Sequence, residues 1–138
     1  MDLVHSFANV NWAAVLVSTV SAFALGGLWY SKVLFANTWM QEVGLTEEAV
    51  NSAHMPTTFG GTFILQFIAA TVLACAIGAD ATWLTGLQNG LAIGVCWIAT
   101  AYGITYLFEQ RSMRLFLINA GYYVVLFAIM GTIIGAWN

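Results

Sequence analysis

LFLINAGYYVVLFAIMGTIIGAW, residues 115–137, runs from end to end without a charged side chain. Coiled at 1.5 Å per residue, it spans roughly 34 Å, enough to cross the ~30 Å hydrocarbon layer of a bilayer. Three more stretches read the same way, at about residues 11–34, 57–79 and 84–108. Apolar runs this long are about twice the length of a barrel strand, so helices are the element they predict. The expected fold is an all-α integral membrane protein. Its four transmembrane helices form an antiparallel bundle, with residues 1–138 making one domain.

Composition supports that reading. Apolar residues make up 61% of the chain and charged residues 7%, with a mean hydropathy of +0.85. A soluble domain carries about 25% charged residues, because its surface must face water. A net charge of −3 gives no acidic tail, and three basic residues give no footprint for nucleic acid. Ala22-Phe23-Ala24 imitates a signal-cleavage site, but Asp2 precedes it without Lys or Arg and the apolar run continues to Leu34. The expectation is a retained span. Cys75 and Cys96 fall at different depths, so they are expected to be separate small core residues rather than a disulfide.

Punctuation sets the topology. Pro56, the only proline, stands where the second span begins, and Gly78-Ala79-Asp80 closes that span. The links around Asp80–Trp83 and Glu109–Met113 are short and force antiparallel neighbours. Only the link from Phe35 to Pro56 is long. Within it Thr46-Glu47-Glu48 is a helix N-cap with acids in the first turn, predicting a short amphipathic helix on the membrane surface. Lys32, Arg111 and Arg114 all fall on the side of that loop. The positive-inside bias then makes the loop side cytoplasmic and puts both termini in the periplasm or exterior. Trp12, Trp83 and Trp137 fall at one boundary, Trp29, Tyr30 and Trp39 at the other, as an interfacial belt. Trp97 alone lies mid-span, where it is expected to fill a bundle or subunit interface.

Helices in lipid associate by close packing and hydrogen bonds. Small residues recur every four positions in each span: Ala14, Ser18, Ala22 and Gly26; Ala70, Ala74 and Gly78; Gly86, Gly90 and Gly94; Gly131 and Gly135. Residues four apart share a face, so each helix offers a smooth stripe to a neighbour. Four short spans enclose little interior, which predicts a homo-oligomer with the Gly86–Gly94 face as a candidate contact.

No ionisable group lies at depth, which argues against proton-coupled export. The polar groups that do are neutral: Gln66, Gln88, Asn89, Thr100 and Asn119, with Tyr102, Tyr106, Tyr122 and Tyr123 nearby in sequence. The bland reading of Gln66, Thr100, Asn119 and Tyr122 is hydrogen bonding between helices; the functional one is a polar vestibule at the cytoplasmic end. His5 and His54 fall on opposite sides of the membrane, and no catalytic constellation, metal cluster or cofactor motif is legible. The chain is therefore expected to be no enzyme and to need no cofactor.

Asn11-Trp12 at the start of the first span, Leu25-Gly26-Gly27-Leu28-Trp29-Tyr30-Ser31 at its end, then Phe35 and Trp39-Met40, resemble a bacterial membrane family. That family is known as domain of unknown function 1761. Asn119-Ala120-Gly121-Tyr122, Met130-Gly131 and Gly135-Ala136-Trp137 are similar to its last helix. The resemblance implies a small multi-helix membrane protein and carries no activity. It draws attention to Trp29, Tyr30, Ser31, Lys32 and Trp39 as belt anchors, or as contacts to a lipid headgroup with Lys32 on the phosphate. The leading functional expectation is a structural or accessory protein that interacts with membrane lipids. The alternative is a small oligomeric channel or facilitator for ions or small solutes.

Overall fold

The computed structural model describes residues 2–138, the side chain of Leu3 apart, and no strand occurs among them. A short α1 (Leu3–Ala8) precedes the first span, α2 (Trp12–Trp29). The long loop holds α3 (Ala36–Val43) and α4 (Glu47–Asn51). Then come α5 (Met55–Ile77), α6 (Trp83–Ile93), a π-helical turn (Gly94–Ala99), α7 (Thr100–Glu109) and α8 (Met113–Ala136). Four helices are long and apolar enough to cross a membrane: α2, α5, the continuous Trp83–Glu109 segment and α8.

Each of these spans starts on a side chain that accepts a hydrogen bond from an otherwise orphaned backbone N–H. Asn11 caps Ala14, His54 caps Thr57, Thr82 caps Thr85 and Ser112 caps Leu115. Thr46 caps α4 through Ala49, as its sequence predicts, whereas α1 and α3 were not foreseen. The first span is shorter than expected: its helix ends at Trp29, and tight turns carry the chain from Tyr30 into α3. The second starts earlier, with Pro56 inside its first turn, and Gly78 ends it at φ +81.

The centre of the bundle is α8. It runs parallel to α5 and antiparallel to α2 and to the third span. At the end near the termini, Asn11 Nδ2 donates to the Trp137 carbonyl and Asn138 Nδ2 to the Gly78 carbonyl, both at 2.8 Å. At the loop end, Trp29 Nε1 donates to the Ile118 carbonyl at 3.0 Å. Between these ties lies a close-packed core of Ala14, Val15, Leu73, Leu126, Met130 and Ile134. Ser18 and Thr19 are buried with them, their hydroxyls spent on the Met130 and Val15 carbonyls.

Gly86, Gly90 and Gly94 face α8 across Gly131 and Gly135, backbone against backbone. A Cβ on Gly86 would overlap the Gly131 carbonyl oxygen, and one on Gly94 would lie 2.8 Å from Val124 Cα. These glycine faces therefore pack one span on another inside a single chain. The face expected to meet a second subunit is already covered, because only residues without a Cβ admit this approach.

The π turn explains how the third span keeps its register on α8. In an α-helix, positions four apart drift by about 40° per step, so a long row of them winds off the contact face. A wider turn takes up that drift. Gly86, Gly90, Gly94, Ile98, Tyr102 and Tyr106 are accordingly all buried or half-buried, although they keep a strict four-residue spacing. The opposite face is left bare. Trp97 is 70% exposed there, so it fills no gap in the bundle, and Cys96 is exposed rather than in the core.

Candidate functional site

From the short Gly78–Thr82 link, α5 and the third span diverge. They touch through α6, while α7 packs on α8 instead. The divergence opens a cavity of about 690 Å³ at the loop end of the bundle. Phe23, Gly26, Gly27 and Tyr30 form the α2 wall, Thr58, Phe59, Thr62 and Gln66 the α5 wall. Across from them stand Tyr102 of α7 and Asn119, Tyr122 and Tyr123 of α8. Trp39, Leu45, Val50 and Ala53 of the long loop cover the mouth. Missing side chains help make the space, since a Cβ on Gly27 would meet nothing within 4 Å.

One polar network crosses the cavity wall. Tyr30 donates to Asn119 Oδ1 at 2.7 Å, and Asn119 Nδ2 donates to the Tyr106 hydroxyl at 2.7 Å. Asn119 thus ties α2, α7 and α8 together. Gln66 Nε2 donates to the Tyr122 hydroxyl at 2.9 Å, which in turn donates to the Ala22 carbonyl at 3.3 Å. With the Tyr122 proton directed at the Ala22 carbonyl, its oxygen accepts and the Gln66 amide turns its nitrogen toward Tyr122. Tyrosine rings pack edge to face along the same wall, with centroids 5.4 Å apart for Tyr30–Tyr122 and 5.0 Å for Tyr122–Tyr123. Each hydrogen bond between membrane helices contributes on the order of 1 kcal/mol.

One acceptor is left over. Gln66 is 8% exposed, and its Oε1 has no hydrogen-bond partner. It is the only such buried side-chain atom among the described residues. No charged side chain lines the cavity.

The structure sorts the residues singled out by sequence. Gln66, Asn119 and Tyr122 meet at the cavity, and Trp39 joins them through an edge contact to Tyr30 at 5.7 Å. Thr100 does not: it is exposed and its hydroxyl bonds back to the Cys96 and Trp97 carbonyls at the π turn. Trp29 turns inward, with its indole against Gly121 and Phe35. The Ser31 hydroxyl is taken by the Leu28 carbonyl. Lys32 pairs with Glu47, Arg111 with Glu109 and Arg114 with Glu42, all at the exposed loop end. The lysine that sequence would set against a headgroup phosphate therefore already has an anion. Sequence reasoning missed the cover from the long loop and the open wall at Gly27. The adjacent Gly26-Gly27 pair beside a tyrosine-rich partner helix was the available signal.

The lining offers amide, hydroxyl, phenol and aromatic surface and no charged side chain. No three His, Cys, Asp or Glu side chains cluster to hold a metal among the described residues.

A family described as "Protein of unknown function (DUF1761)" matches residues 13–135, nearly the whole chain, and the chain belongs to that family. No curated protein and no solved structure matches it.

Proposed function

We propose that this member of the family is a non-catalytic membrane protein that takes a small amphiphile from the surrounding bilayer into the loop-end cavity. The observation that carries the reading is the cavity itself. Its volume of about 690 Å³ lies within the ~300–1,000 Å³ typical of ligand sites, and its wall is mostly apolar with a few convergent polar groups. Its rim at Met55, Thr58 and Phe59 is exposed, at the start of a membrane-length helix, and is the proposed entrance from the bilayer. The loop end is proposed to be cytoplasmic, from its three cations.

The channel reading has less support. Polar groups that would line a path are paired helix to helix, and the half of the bundle beyond Gln66 is filled by Val15, Thr19, Leu73, Met130 and Ile134. A homo-oligomer loses the contact that sequence offered for it, because the glycine faces are consumed within the chain.

Extraction of the protein into phosphatidylcholine nanodiscs, followed by mass spectrometry of what it retains, tests the proposal. Wild type should carry a bound amphiphile, and Gly27→Phe, which projects a ring into the open space, should carry none. Equal retention by the two proteins would refute the site.

A further inference from the structure

The cavity's own hydrogen-bond inventory restricts what fills it, granted that it binds an amphiphile as proposed above. Gln66 sits halfway along α5, roughly 17 Å from the helix start, so its Oε1 lies deep in the apolar layer. An acceptor left unpaired at such depth is costly, because nothing replaces the water it gave up. Neighbouring donors are already committed: Tyr30 to Asn119, Asn119 to Tyr106, Tyr122 to the Ala22 carbonyl. The Tyr102 and Tyr123 hydroxyls also line the cavity, yet no donor of the chain reaches this oxygen; a molecule from outside that brings a donor would pair with it once the amide, closed to water as it stands, turns toward the space. A single water would satisfy it but occupies about 30 Å³, leaving most of an apolar space unfilled.

Charge narrows the choice further. A phosphate or carboxylate head drawn into the cavity would lose its water and find no cation, since the lining is uncharged. Lys32 and Arg114, the basic groups nearest in sequence to the walls, are held by Glu47 and Glu42 at the exposed end. An ammonium head would meet ring faces but no carboxylate, and cation–π contact alone returns less than its lost hydration costs.

We infer that the occupant is an uncharged amphiphile whose hydroxyl or N–H group donates to Gln66 Oε1, its apolar body lying among Phe23, Phe59 and the tyrosine rings. The head points inward, toward the middle of the bilayer, and the body leaves toward the rim. That is the reverse of a headgroup site at the membrane surface.

Photolabelling in phosphatidylcholine nanodiscs reads this directly. Three probes share a mid-chain diazirine and a twelve-carbon chain: dodecanol, its methyl ether, and dodecanoate at pH 8. The alcohol should label cavity-facing peptides of α2, α5 and α8 about tenfold more than the ether, as loss of one buried donor predicts. Dodecanoate should match the ether or fall below it. Gln66→Met, which keeps the length and drops the acceptor, should bring the alcohol down to the ether's level. Equal labelling by alcohol and ether in the wild-type protein would overturn the inference while leaving the binding site standing, as would preference for dodecanoate. Absence of cavity labelling by all three probes would overturn both.

Discussion

Replacing Gly90 by alanine tests the contact on which the bundle is built. A Cβ there would overlap the Phe127 carbonyl oxygen, lie 2.7 Å from its carbon and 3.2 Å from Ala128 Cα. All three atoms are backbone, so no rotamer change relieves the clash. Returning the carbonyl oxygen to an ordinary carbon–oxygen separation of about 3.2 Å moves α6 away from α8 by roughly 1 Å. A gap of that size forfeits a quarter to a half of the dispersion energy along the seam, and overpacking of this kind costs about 1–3 kcal/mol. Gly27→Ala is the matched control, since its Cβ meets nothing within 4 Å. Both substitutions remove the same backbone freedom, so the difference between them isolates the contact. Equilibrium unfolding in bicelles should place Gly90→Ala about 1–3 kcal/mol below Gly27→Ala. Gly90→Ala as stable as the control would refute the packing argument.

Asn119→Leu removes two hydrogen bonds between spans, and at membrane values near 0.6 kcal/mol each, with larger extremes, the loss should be about 1–2 kcal/mol in the same assay. Unchanged stability would mean that the Tyr30 and Tyr106 contacts contribute nothing. A phosphatase fused to the C-terminus should be active in a bacterial host, because Lys32, Arg111 and Arg114 gather at the opposite end of the bundle. A fluorescent fusion at the same position that lights up in the cytoplasm would reverse the orientation.

The spans were legible because unbroken apolar length is a property of sequence, and the fold class followed from it. Partners were harder to read. A stripe such as Gly86, Gly90 and Gly94 announces close approach, yet nothing in its spacing names the helix that approaches. Phase was the second difficulty. Thr100 and Asn119 look alike as neutral polar residues in a span, but the π turn rotates Tyr102 and Tyr106 onto α8 and leaves Thr100 outside. Trp29 illustrates a third limit. An indole near a span end suits an interface or a helix contact equally well, and Gly121, contributed from far along the chain, is what turns it against α8. Gln66 was legible as a polar residue at depth. Its unpaired oxygen was not, because pairing depends on where the Tyr122 proton goes.

The most direct test of the central claim is a cryo-electron microscopy structure of the protein in a lipid nanodisc. The account predicts elongated density between α5 and α7, its inner end within hydrogen-bond distance of Gln66 Oε1. A cavity closed by α5 packing onto α7, or filled by a helix of a second copy, would contradict it.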